Sequence, residues 1–193
     1  HYLAMKGIYM RILIFLILFL VGCSSTSSNF LDFTTSEKTQ PETTVDDFKS
    51  HVGYLASDKL GGRSAGSKGD ILARDYMVDL FEKSSSSVEV QDFEVITNRR
   101  TGDTAVTHNV IGILPGNDPE LKEEYVIIGG HYDTTANPPK ARKLFFDNIN
   151  NGADDNASGT AMVLELFEKY AATKNHKRTL VFILFGGEEL GLL

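Results

Sequence analysis

Two short stretches, Tyr125–Gly129 and Thr179–Phe185, run apolar almost without a break. A strand with one wet face alternates apolar and polar residues, so continuous runs predict strands buried on both faces. Strands of that kind belong to sheets covered by helices, and helical patterns lie between and before them. Val45–Ala56 and Lys68–Lys83 carry helical periodicity, the second with Ile71, Leu72, Tyr76, Val78, Leu80 and Phe81 as its expected buried stripe. Ser158–Ala172 forms a further helix on Val163, Leu166, Phe167, Tyr170 and Ala171. Val88–Ile96 alternates as a strand does, and Asn109–Leu114 is a short apolar run closed by Pro115-Gly116. The order predicts a three-layer α/β/α sandwich around a central, largely parallel mixed sheet. In such sheets ligands collect beyond the carboxyl ends of the strands.

The first 43 residues are of another kind. Lys6 and Arg11 precede a ten-residue apolar run, Ile12–Val21, and then Gly22-Cys23-Ser24. A charged start, a short apolar stretch and a small residue before a cleavage point describe a secretory signal. The run is too short for the roughly 20 residues that cross a bilayer as a helix. Leu20-Val21-Gly22-Cys23 resembles a bacterial lipoprotein box. That resemblance implies export and a membrane anchor of acyl chains on Cys23, with Ser24 leaning toward the outer membrane, facing periplasm or exterior. Ser24 to about Thr44 is rich in Ser and Thr and too poor in apolar residues to offset its ordering entropy. The expected division is therefore 1–22 upstream residues and signal, 23–43 flexible tether, and 44–193 the folded domain. A net charge of −7 with scattered basic residues argues against a nucleic-acid partner.

Between the first two helices lies Leu60-Gly61-Gly62-Arg63-Ser64-Ala65-Gly66-Ser67-Lys68-Gly69. It does not read as a phosphate loop, because no apolar strand precedes it and Gly69, rather than Ser or Thr, follows Lys68. It reads as a structural turn in which Ser67 caps the next helix.

Three clusters fall where a site is expected. His131-Tyr132-Asp133 ends one strand, Gly152-Ala153-Asp154-Asp155-Asn156-Ala157-Ser158-Gly159 opens a helix after a long polar loop, and Gly186-Gly187-Glu188-Glu189-Leu190-Gly191 follows the last strand. His131 and Asp133, two apart on an extended chain, project to one side, which suits a metal-bound imidazole steadied by a carboxylate. Taken singly the clusters have plainer readings: a His–Asp hydrogen bond for the first, helix capping for Asp154 and Asp155. Glu188 and Glu189 are harder to explain that way, since adjacent carboxylates repel unless a cation or proton relieves them. Taken together, imidazole and carboxylates at one sheet edge make a zinc environment, and the absence of cysteine suits a catalytic site.

In this order and context the clusters resemble the co-catalytic di-zinc aminopeptidases, zinc exopeptidases that also include glutaminyl cyclases and transferrin-receptor-like proteins. His51-Val52-Gly53-Tyr54-Leu55-Ala56-Ser57, with the loop that follows, resembles the opening segment of exported members. The resemblance implies two zinc ions and a metal-bridging hydroxide that attacks N-terminal bonds of peptides or proteins. It assigns His131 and Glu189 as ligands to one zinc each, Asp155 as the bridge between them, and an unusual cis peptide from Asp155 to Asn156. Asp133 would orient His131, and Glu188 would be the general base. Asp154 is no ligand in this alignment. The pattern also requires a further Asp and His downstream of the glutamate pair; His108, expected at a strand start, and His176, in a polar loop, do not stand in their context. On that reading the 193 residues alone are an inactive, poorly stable front portion. The alternatives are a glutaminyl cyclase-like acyltransferase and a non-catalytic surface lipoprotein on the same scaffold. Oligomeric state and residue preference are not legible.

Overall fold

The structure is a computed structural model that describes residues 43–84, 87–137 and 149–191. Cys23, the signal, most of the tether and much of the polar loop before Asp155 lie outside the described residues. Those described fall in one compact unit, Thr39–Leu193.

Helix α1 (Val45–Leu55) starts at a capping box, in which Thr44 and Asp47 each satisfy the other's backbone N–H. Helix α2 (Lys68–Lys83) starts where expected, with the Ser67 hydroxyl accepting from the Asp70 N–H. Its buried face is Ala73, Met77, Leu80 and Phe81, of which Leu80 and Phe81 belong to the expected stripe. Ile71 is exposed, and Leu72, Tyr76 and Val78 are only partly covered. The reason is local: Gly69 and Asp70 turn inward against the glycine loop, which rotates the face away from Ile71.

Strands β1 (Ser87–Asn98) and β2 (Asp103–Leu114) form an antiparallel hairpin. Strand β2 begins six residues before the expected start at Asn109, so His108 sits inside it rather than at its start. Strand β3 (Tyr125–His131) pairs parallel with β4 (Thr179–Phe185), and helix α3 (Ser158–Thr173) forms the crossover between them. The sheet order is β1-β2-β4-β3, with β2 and β4 antiparallel. The α/β class holds, but the mixed sheet has one parallel pairing against two antiparallel ones, because a hairpin occupies the flank where a second crossover was expected.

The core lies on one face of this sheet. Phe81 from α2 and Phe167 from α3 stack at 4.2 Å, and Phe167 meets Phe182 of β4 edge-on at 5.3 Å. Gly112 of β2 lies beneath them; a Cβ there would stand 2.8 Å from Phe81 and 3.0 Å from Phe167. The missing side chain lets two helices approach one strand. Strand β3 departs from the expectation of burial on both faces: Tyr125 is 63% exposed and Ile127 66%. Among the described residues it is an edge strand of the sheet, and helices cover only the face that carries Ile128. No described helix is long and apolar enough to cross a membrane.

Candidate active site at the carboxyl ends of β3 and β4

Strands β3 and β4 end side by side, His131 in register with Phe185. Alternation along the strand puts Tyr132 inward, fully buried, and frees His131 and Asp133 for the opposite side. The Tyr132 hydroxyl donates to Asp70 at 2.5 Å and lies 3.1 Å from the His108 carbonyl. Burial, with the charge of Asp70 behind it, holds that phenol far above its ordinary range.

After β4 the chain reverses through Gly187, whose φ of 77° lies in the left-handed region that glycine tolerates. A single turn, Glu188–Leu190, follows. Asp133, fully buried, accepts from the backbone N–H groups of both glutamates, 3.1 Å from Glu188 and 3.2 Å from Glu189. Its carboxylate thus fixes the turn as well as facing His131 Nδ1 at 3.5 Å. Burial raises the Asp133 pKa, and those two N–H donors partly offset the rise.

Asp155 arrives from the irregular turn Ala153–Ala157, and the Asp155–Asn156 peptide is cis, as the resemblance implies. Asn156 accepts from the Gly159 N–H at 3.0 Å, and the Thr160 hydroxyl donates to the His131 carbonyl at 2.9 Å. These bonds tie the first turn of α3 to the end of β3. Neither Asp154 nor Asp155 caps α3, whose first turn is met by the Asn156 side chain instead, so the capping alternative does not hold.

The result is convergence. His131 Nε2 lies 3.2 Å from Asp155 Oδ1 and 3.8 Å from Glu188 Oε2. Burial raises the Glu189 carboxyl pKa, and the nearby charges of Asp155, Asp133 and Glu188 push it the same way. His131 Nδ1 is buried and has no hydrogen bond of good geometry. An imidazole with Nδ1–H turned to Asp133 presents its Nε2 lone pair to the carboxylates of Asp155 and Glu188. That donor set fits a divalent cation of the zinc class. His108 and His176 are engaged elsewhere: His108 contacts Asp92 at 2.7 Å and Arg74 at 3.2 Å, and His176 the Pro115 carbonyl at 3.1 Å.

Arg63 was not singled out from the sequence, yet it organises the floor of the site. It is fully buried and donates to the carbonyls of Tyr132 at 2.7 Å, Leu55 at 2.6 Å, Asn151 at 2.7 Å and Gly152 at 2.9 Å. One guanidinium therefore joins the end of α1, the end of β3 and the approach to Asp155. Burial lowers its pKa to about 10, opposed by the charge of Asp133. The signal was its place between Gly62 and Ser64 in the glycine loop, which lets the backbone fold over its own side chain. Beside that loop, Ser64, Ser67, Ala105, Thr134, Thr135 and Glu189 line part of a cleft of about 340 Å³.

Comparison with known proteins agrees. Residues 109–193 match Peptidase family M28. The chain is 41% identical over 84 residues to a probable zinc metalloprotease of Pyrenophora teres f. teres, covering 44% of this chain and 17% of that protein. It is 37% identical over 92 residues to a probable leucine aminopeptidase of Arthroderma otae, covering 44% and 22%. Among solved structures, a leucine aminopeptidase precursor from Bacteroides thetaiotaomicron superposes with a TM-score of 0.60 at 20% identity, over 77% of this chain and 49% of that one. A glutaminyl cyclase from Fimbriiglobus ruber gives 0.58 at 22% identity, over 79% and 52%. The chain thus spans under a quarter of these curated relatives and about half of these solved structures. Residues 109–193, the stretch that carries His131, Asp155, Glu188 and Glu189, thus match Peptidase family M28, and the fold is similar to that of these zinc exopeptidase and glutaminyl cyclase structures.

Proposed function

We propose that the protein is a zinc-dependent exopeptidase that removes N-terminal residues from peptides or proteins. The observation that carries this reading is the meeting of His131, Asp155 and Glu188 within 3.8 Å, beside a glutamate turn held by Asp133. His131, Asp155 and Glu189 would hold two zinc ions, Asp155 between them. Bound zinc supplies polarisation of the scissile carbonyl and a water acidic enough to attack at neutral pH. Glu188, not required as a ligand, takes the proton of the attacking water and returns it to the departing amine. Asp133 keeps the Glu188 backbone fixed while it does so. The cleft beside Glu189, lined by small hydroxyl and methyl groups, lies where the substrate's first residue would sit. Export and anchoring through Cys23 belong to the same proposal, and would place the activity in the cell envelope.

The test uses the full-length product of the gene. It should hydrolyse aminoacyl anilides, stop with a chelator and recover with zinc. E188Q should retain zinc and lose about 10²- to 10⁴-fold in kcat. Cyclisation of N-terminal glutamine without anilide hydrolysis would convert the reading to a glutaminyl cyclase. Neither activity, in a folded and zinc-loaded protein, would leave a binding role.

A further inference from the structure

A second group of metal-type donors lies between α1 and α3. His51 of α1 is 7% exposed, and its Nε2 faces two glutamates of α3, Glu165 Oε1 at 3.3 Å and Glu168 Oε2 at 3.4 Å. Glu165 and Glu168 are three residues apart, so the helix sets them on one face. The three donor atoms all lie within 4.8 Å of one another. On its far side, His51 Nδ1 is 2.6 Å from the Tyr76 hydroxyl of α2.

Hydrogen bonding does not account for this arrangement. Charge-assisted N–H···O bonds run about 2.7–2.9 Å, and both carboxylates stand farther than that from Nε2. Glu165 is 6% exposed, and its Oε1, aimed at His51, has no hydrogen-bond partner. Burial raises its pKa, with Glu168 and Asp47 adding to the rise and His51 opposing it. The two distances from His51 Nε2 match a different object. Four ligands about 2.0–2.1 Å from a tetrahedral ion stand about 3.3–3.4 Å from one another. With Nδ1–H donated to Tyr76, the Nε2 lone pair points at the same place as both carboxylates, the arrangement in which an outer partner fixes a ligating imidazole.

We propose that His51, Glu165 and Glu168 form a second, non-catalytic site for a divalent ion of the zinc class, which joins α1 to α3. The half-exposed Glu168 provides the way in, and the fourth position is open to water. The site stands whether or not the sheet edge is catalytic.

Cobalt is the probe, in the full-length protein carrying H131A and E189A to remove the sheet-edge donors. One equivalent should bind with the visible absorption of four-coordinate cobalt. Adding E168Q should weaken it at least about tenfold, and adding H51Q should abolish it. E168Q changes a half-exposed side chain and should leave the circular dichroism spectrum unchanged. In the otherwise unaltered protein, H51Q should also lower bound zinc by one equivalent. Absence of cobalt binding in the edge-deleted protein, or equal binding with and without E168Q, would overturn the site, as would an unchanged zinc count.

Discussion

The two donor groups, one at the sheet edge and one between helices, are built in opposite ways. At the edge the side chains are partly open to solvent, and their order comes from the backbone. Asp133 collects two N–H groups of the glutamate turn, Thr160 holds the His131 carbonyl, and Arg63 gathers four carbonyls beneath. Between the helices the backbone is ordinary, and order comes from side-chain burial and helical spacing. A site fixed by backbone groups should fail when its backbone clamps are removed. One fixed by side chains should fail only when those side chains, or the group that orients them, change.

The largest effect should come from R63A. It leaves four carbonyls without their donor, in a place where an uncompensated polar group is costly, and should lower stability by about 4 kcal/mol. Denaturant unfolding measures it, and an effect under about 1 kcal/mol would mean the floor is not held as described. A smaller loss, about 2 kcal/mol, is expected for D133N, because an amide can accept only one of the two N–H groups. In that variant zinc at the edge should weaken by about 10- to 100-fold while cobalt between the helices binds as before. If both sites weakened together, the distinction between them would collapse. Smallest is Y76F, which removes the hydroxyl opposite His51 Nδ1. It should cost about 1 kcal/mol and about tenfold in cobalt affinity between the helices, with edge zinc unchanged.

The same contrast explains what was legible in the sequence. His131, Asp155, Glu188 and Glu189 sit in contiguous motifs at element boundaries, so local sequence exposes them. His51, Glu165 and Glu168 are separated by 114 residues of chain between the first two and lie inside regular helices. There a charged residue reads as solvated surface until the packing of α1 on α3 is known. The face of α2 was misplaced for a related reason. Periodicity alone favoured Ile71, whereas the glycine loop draws Gly69 and Asp70 inward. Element positions for α1, α2, α3 and β4 came through to within a residue or two, since caps and apolar runs are local. The burial of β3 did not, because exposure depends on what lies beside a strand, and its own residues carry no record of that.

Tyr132 gives the edge site a mechanical character. It is wedged between His131 and Asp133, fully buried, with its hydroxyl engaged by Asp70 and by the His108 carbonyl. Neither neighbour can swing without extracting an aromatic ring from the core, so the strand end behaves as a fixed jaw. Asp155, whose side chain is 75% exposed, stands opposite it on the solvent side. Whatever enters the site therefore meets a histidine and an aspartate whose bearings are already set by the core, with Asp155 facing it from the open side.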